Sequence, residues 1–494
     1  MLLNRLFAGL LALASPPAPR AGTVSLEPAA VTTAAGEKVQ FELGTLHVLE
    51  NRAASNSRVI DVGFARLRAA RPTRAAPIVF LPGGPGNSYL DAFTETGENA
   101  RRRLANFRRY SAVADVIVLD QRGFSRRGTT LRVPDAVPAP LDRPSSVEAE
   151  SAAYRAFAAA AIAANPDHDL SGYHVRECVE DVAELRRALG YAKLNLLGGS
   201  FGSQWSFAVL RLHPEIVERA VLYGVEPLDD GIDMPSYLFA ALQRIAFDGD
   251  RAPNLQPYLP PGGLMAAVRE LRDRFARAPV TVKVRVPETG ETESVVLGLA
   301  DLQNALLPDD AEAWPAFILS LYHGHYDEWA REELSRRRRS KFSSVILPLI
   351  DSGLGVSATR SHRLHTDPAT HYLGTWSFEP YESSRPAWPT PDFGDALRAP
   401  APSEVPVLLV NGDWDTSTPI ENMLQIAPYF PRGRVMIVHR AVHEQLTRMT
   451  RHHPEVFDAI LEFYRSGATA KLPAELSLPA PTFATPTFPP PARR

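Results

Sequence analysis

Short β-branched runs alternate with amphipathic helical stretches along most of this chain, the pattern of a mostly parallel sheet with helices on both faces. Eight runs read as strands. Lys38 to Leu49 and Arg58 to Leu67 form an opening antiparallel pair, followed by Pro77 to Leu81, Val113 to Leu119, Lys193 to Leu197, Arg219 to Tyr223, Val405 to Val410 and Arg434 to Val438. Before the fifth of these, Val175, Val179, Val182, Leu185 and Leu189 fall on one helical stripe with Glu and Arg opposite, which predicts a crossover helix. Tyr223 and Val405 lie about 180 residues apart, whereas a crossover needs a dozen or more. The surplus predicts a largely helical cap domain inserted after the sixth strand. It includes helices over Gly263 to Ala278 and Asp309 to Arg339 and a hairpin over Val280 to Leu297, turning at Glu288, Thr289 and Gly290.

The ends differ from the middle. A nine-residue apolar run from Leu6 to Ala14, preceded by Arg5 and closed by Ala12-Leu13-Ala14, has the form of a signal peptide and predicts export to the periplasm or medium. As helix it would rise about 14 Å against a hydrocarbon core of roughly 30 Å, so no membrane anchor is expected. The chain holds 44 prolines in 494 residues, against a usual level of about 5%, and they crowd the C-terminus, where LPAPTFATPTFPPPARR reads as an extended tail without a fold. The expected organisation is signal peptide and linker over 1–22, core over 23–228, cap over 229–402, the second core segment over 403–468 and the tail over 469–494.

With 53 basic and 56 acidic residues the net charge is -3, which lacks the excess of Lys and Arg that a nucleic acid requires. The lone Cys178 excludes an intrachain disulfide and a thiolate zinc site, and sits among the crossover helix's apolar residues as packing. His323-Gly324-His325 offers two imidazoles and no third ligand, so no metal or other cofactor is expected.

Candidate chemistry centres on LNLLGGSFGSQ, where Gly198-Gly199-Ser200-Phe201-Gly202 satisfies G-x-S-x-G between an apolar strand and an amphipathic helix. In that setting glycines permit a turn too tight for side chains and leave the Ser200 hydroxyl exposed as a nucleophile. Its acid and base should follow later strands in the order Ser, Asp, His. Asp413 and Asp415 compete for the acid in NGDWDTSTP, with Asp415 favoured because it lies beyond the strand end; His439 and His443 compete for the base, with His443 favoured on the following loop. The oxyanion hole would use the amide of Phe201 and one from FLPGGPGNS, Gly84 first and Gly83 next.

Together LPGGPG, DQRGFS at Asp120 to Ser125, DVAELRRALGYAKLNLLGGSFGSQ and NGDWDTSTP resemble the proline iminopeptidase and tripeptidyl aminopeptidase family of α/β-hydrolases, over roughly Val39 to Phe463. Pro82 stands where that family usually has His. The resemblance implies an α/β-hydrolase fold, acid function at Asp415 and release of amino acids or short peptides from peptides with a free N-terminus. The alternative is a carboxylesterase using the same triad on small apolar esters. An exopeptidase must hold the substrate ammonium, for which Glu226 is the first candidate, with Asp229 and Asp230 close behind and Asp351 weaker. Phe201, Trp205, Trp314, Tyr322 and Trp329 read mainly as core, and the run Arg336 to Arg339 as an exposed helix end.

Overall fold

The computed structural model describes residues 19–33, 36–286, 290–308, 310–443 and 445–492. The apolar run from Leu6 to Ala14, with Glu288, Thr289, Asp309 and Glu444, lies outside them. Strands β1 (Thr23–Thr32), β2 (Lys38–Leu49), β3 (Val59–Leu67), β4 (Ile78–Leu81), β5 (Val116–Leu119), β6 (Leu194–Gly199), β7 (Val217–Tyr223), β10 (Val407–Gly412), β11 (Arg434–His439) and β12 (Glu475–Ser477) make one ten-stranded sheet in the order β1-β2-β3-β5-β4-β6-β7-β10-β11-β12. The first three strands pair antiparallel, β3 pairs antiparallel with β5, and every later pair is parallel.

The central strands are buried on both faces, which is why they read as unbroken apolar runs. Val79 and Leu81 of β4 pack with the helices Val175–Ala188 and Phe201–Leu212, while Ile78 and Phe80 pack on the other face with Glu98–Tyr110 and Pro454–Ser466. The crossover stripe forms as its periodicity predicts, and burial raises the pKa of the Cys178 thiol beside it.

Ten strands replace the eight expected, because both edge strands form without an apolar face. The β1 strand carries Pro28 and is mostly exposed, yet it pairs with β2 along its whole length, from Thr23 opposite His47 to Thr32 opposite Lys38. Proline is tolerated at such an edge, and backbone pairing supplies the order. At the opposite edge β12 adds three residues to β11.

The chain between β7 and β10 divides in two. Its first part, with helices Pro235–Gly249, Gly263–Arg277, Trp314–Tyr322 and Asp327–Arg338 and the antiparallel hairpin β8 (Val280–Arg285) and β9 (Thr292–Leu297), surrounds a separate core containing Phe275, Trp314 and Trp329. The later part, through Phe342, Ile346, Leu349 and Trp388, packs into the main core. The long helix expected to reach Arg339 is interrupted after Tyr322, where Gly324 adopts φ 88°. Its basic end is solvated only in part: Arg338 and Arg339 are exposed as expected, but Arg337 is not. Arg337 is 1% exposed, ion-paired to Asp301 at 2.8 Å and bonded to the carbonyls of Pro140, Arg143 and Val296, so the guanidinium ties the cap to the loop before Ser145.

The tail is ordered too, contrary to its composition. From β12 it crosses to the cap, where Phe483 is buried and stacks on Trp414, the Ala484 amide donates to the Glu312 carbonyl, and Phe488 stacks on His325 at 4.1 Å. Among the described residues no helix is long and apolar enough to cross a membrane.

Phe483→Ala should remove about 3 kcal/mol of docking, within the range for a buried Phe, and speed limited proteolysis of residues 484–490 by about 10²-fold. Equal cleavage in both proteins would show that Phe483 does not hold the tail.

Candidate active site

At the end of β6 the chain turns so sharply that Ser200 is forced to φ 56° and ψ -133°, a conformation rare outside glycine. Three glycines make the turn possible. A Cβ at Gly202 would lie 2.0 Å from the Leu81 carbonyl, one at Gly198 2.2 Å from that of Gly202, and one at Gly199 2.3 Å from the Tyr223 ring. The Ser200 amide is tied to the Tyr223 and Gly224 carbonyls at 3.1 Å each. Phe201 opens the following helix, where a first-turn amide has no intrahelical acceptor and can serve an oxyanion.

The acid and base loops leave the adjacent strands β10 and β11. Of the two acids and two histidines, the structure pairs Asp415 with His443 and Asp413 with His439. His443 Nδ1 lies 3.0 Å from Asp415 Oδ2, and Asp415 is fully buried, with its other oxygen accepting from the Ser417 and Thr418 amides at 2.9 Å. The competing pair is separate: His439 Nδ1 lies 2.8 Å from Asp413, which raises the imidazole pKa, and Asp413 also accepts from the Arg440 amide. Thr418 carries a part not read from the sequence, although it lies in a quoted motif. Its hydroxyl donates to Asp415 Oδ2 at 2.9 Å and lies 3.1 Å from His443 Nδ1, bracing both. Asn411 links the acid loop to the end of β7, accepting from the Val225 amide and donating to the Thr418 carbonyl.

The loop after β4 runs alongside Ser200. A Cβ at Gly83 would sit 3.2 Å from Ser200 Cβ, and Gly83 and Gly84 line one cavity with Ser200 and His443. Gln121, fully buried, holds this loop. Its Nε2 donates to the Pro82 and Gly83 carbonyls at 3.1 and 2.9 Å, and its Oε1 accepts from the Gly86 amide at 2.6 Å. Neighbouring Asp120 is pushed up to about 6 by burial, against hydrogen bonds from Ser88, the Arg126 amide and Ser125.

Beyond the end of β7 several carboxylates gather. Burial, then the charges of Asp233, Asp351 and Asp230, raise the Glu226 pKa well above the usual range, and burial first of all pushes Asp233 and Asp351 up to about 7. Among the described residues no Lys or Arg ion-pairs with Glu226, Asp233 or Asp351, while Asp230 is paired with Arg360 and Asp229 caps Ser357. Asp229 and Asp230 are therefore engaged in fastening the cap. Beside Glu226, Gln204 is fully buried and its Oε1 has no hydrogen-bond partner in the protein. Phe201, Trp205, Trp314 and Trp329 are buried core residues.

A ten-stranded, mostly parallel sheet with a strained serine after β6, an acid after β10 and a histidine after β11 is one recurring architecture. The fold is that of an α/β hydrolase. A family model described as alpha/beta hydrolase fold matches residues 76–256, and one described as TAP-like protein matches residues 376–471. Ser200 and Glu226 of the hydrolase fall in the first match, Asp415 and His443 in the second. Solved structures similar to it include a serine hydrolase from Cycloclasticus zankles (11% identity, 85% of this chain and 99% of that one, TM-score 0.34), an epoxide hydrolase from an endophytic Streptomyces (15%, 88% and 99%, 0.35) and a thermophilic esterase from Thermogutta terrifontis (16%, 85% and 99%, 0.32).

Replacing Gln121 with Met keeps its volume and removes all three bonds to the Pro82–Gly86 loop. Hydrolysis of an activated ester should fall about 10²-fold in kcat, the usual effect of a displacement near 1 Å, with an unchanged circular dichroism spectrum. An unaltered kcat would show that the loop holds its position without Gln121.

Proposed function

We propose that this α/β hydrolase is a serine aminopeptidase, releasing amino acids or short peptides from free N-termini. Ser200 attacks the peptide carbonyl, His443 takes the serine proton and returns it to the leaving amine, and Asp415 holds the imidazole and balances its charge. The amides of Phe201 and Gly84 receive the oxyanion. Hydrolysis of the resulting ester by water, with His443 again as base, releases the acyl part.

The observation that carries the N-terminal specificity is the group Glu226, Asp233 and Asp351, which lacks a basic partner among the described residues. Buried carboxylates without a cation hold on to their protons, and a substrate ammonium would supply the missing charge. The unsatisfied Gln204 Oε1 beside Glu226 is a neutral acceptor suited to the same group. The match to the TAP-like description over residues 376–471 supports the same reading.

An aminoacyl arylamide should be cleaved at least tenfold faster than its N-acetylated form, and Ser200→Ala should remove about 10⁶ of the rate. Equal rates on the two arylamides, or activity on esters alone, would favour the carboxylesterase.

The pH dependence has a definite sign. Raised pKa values leave Asp233 and Asp351 largely protonated below about 7 and anionic above it, while burial and the neighbouring acidic charges hold the Glu226 pKa well above the usual carboxyl range. Ammonium binding favours the anionic form. The ratio of kcat/KM on a free-amine arylamide to that on an ester without an amine should therefore rise from pH 6 to near 8, then fall as the amine itself deprotonates at roughly 7.7–8.0. Any step common to both substrates cancels in this ratio. Asp233→Asn/Asp351→Asn should flatten the rise, and Glu226→Gln should lower the ratio about tenfold or more; a ratio independent of pH in the native chain would remove Asp233 and Asp351 from amine recognition, and an unchanged ratio in Glu226→Gln would remove Glu226.

A further inference from the structure

The cavity that opens from Ser200 and His443 has the opposite electrostatic character from the carboxylate group at Glu226. It encloses about 280 Å³ and runs outward between the helices Glu98–Tyr110 and Gln445–His452. Arg102, Arg103 and Arg109 reach it from the first helix, and no Asp or Glu lines it among the described residues. Arg102, Asn106 and Arg109 are spaced i, i+4 and i+7, so one polar face of that helix is turned to the cavity while Leu104 and Phe107 anchor the helix in the core.

Arg103 is ion-paired to Asp91 at 2.5 Å. The other two have no carboxylate within ion-pair distance among the described residues. Arg109 stacks over the Phe457 ring at 3.6 Å and reaches Thr450 Oγ1 at 3.5 Å, and Arg102 is exposed at the cavity wall. A guanidinium held over an aromatic ring by a cation–π contact still has N–H donors to offer, and its fork of donors matches a carboxylate.

The chemistry fixes which part of a substrate can occupy this space. His443 must give its proton to the leaving amine, so the leaving segment lies against His443, whose loop continues into the cavity wall at Leu446, Thr447 and Thr450. Glu226, Asp233 and Asp351 do not line this cavity. The ammonium end and the leaving end of a substrate thus meet opposite charge on separate groups of residues.

We propose that the arginine-lined cavity is the leaving-group subsite and that Arg102 and Arg109 bind a carboxylate there, which makes short zwitterionic peptides, free at both termini, the preferred substrates. The proposal rests on the aminopeptidase reading and adds to it the recognition of the far end. The volume lies near the lower limit of small-ligand sites, roughly 300–1,000 Å³, and so suits a leaving segment of a few residues rather than a long chain.

The test compares Ala-Ala-Ala with its C-terminal amide and with Ala-Glu-Ala amide, which separates a terminal carboxylate from an acidic side chain. In the native chain kcat/KM should favour the acid over the plain amide by about tenfold or more, as expected for a charge-assisted contact. Arg102→Gln/Arg109→Gln should bring that ratio close to one, whereas Arg109→Lys, which keeps the charge but not the fork, should retain part of it. Equal kcat/KM for acid and plain amide in the native chain overturns the subsite and leaves the aminopeptidase standing; Ala-Glu-Ala amide matching the acid upholds carboxylate binding by the arginines and overturns the preference for a free C-terminus. If neither these peptides nor Ala-Ala-Ala-Ala-Ala is cleaved, the aminopeptidase reading fails, and protection of Ser200 from a fluorophosphonate decides the subsite. Better protection by Ala-Ala-Ala acid than by its amide, lost in the double variant, upholds it. Equal or absent protection overturns it.

Discussion

The contact of backbone with backbone at the head of β6 governs the rest of the site. Gly202 approaches the Leu81 carbonyl so closely that any side chain would have to displace β4. That approach lets the helix beginning at Phe201 start directly above the sheet and leaves Ser200 at positive φ with its side chain at the cavity. The local conformational cost, of order 1–3 kcal/mol for such a residue, is sustained by the buried strands on either side. Loops from β4, β7, β10 and β11 then arrive around one point because their strands are neighbours of β6 or lie two and three places from it. The order of strands does what no local sequence signal could, bringing residues 200, 415 and 443 to one end of the sheet.

A second constraint is charge without compensation. Asp415 is buried yet well served, by two amides, a threonine hydroxyl and an imidazole. Among the described residues Glu226 and Asp351 have no comparable set of hydrogen-bond partners, and burial drives both toward the neutral form. The same sheet end therefore holds one acid suited to orienting a base and others suited to receiving a cation. In the cavity lined by Ser200 the guanidinium groups of Arg102 and Arg109 reverse the sign.

Much of this was legible in the sequence, for reasons tied to particular residues. β4, β6, β7 and β10 are buried on both faces, so their apolar runs are unmistakable, and the glycines around Ser200 mark the turn because nothing else fits. β1 and β12 were not legible, since an edge strand with Pro28 or of three residues is ordered by its neighbour's backbone and needs no apolar pattern. Arg337 was misread because a run of four arginines looks solvated from composition alone, while its burial depends on Asp301 from a different element. Gln121 and Thr418 lay inside recognisable motifs, but their roles exist only as distances to loops remote in sequence. The arginines at the cavity had a helical spacing that could have been noticed; what they face could not.

The tail shows how composition can mislead in the other direction. Proline-rich segments lose little conformational freedom on docking, so a few well-placed aromatic rings suffice to order them. Phe483 stacks on Trp414, and Trp414 stands between Asp413, which holds His439, and Asp415, which holds His443. The same tail residues bond the cap through Asn254 and Tyr258. One segment thus joins the cap to the acid loop. Because the Asp415 carboxylate must stay within about 3 Å of an imidazole carried on another strand, a contact that fixes Trp414 also limits how far the cap can move without disturbing the acid. In this fold one C-terminal segment contacts both the cap and the residue that separates Asp413 from Asp415.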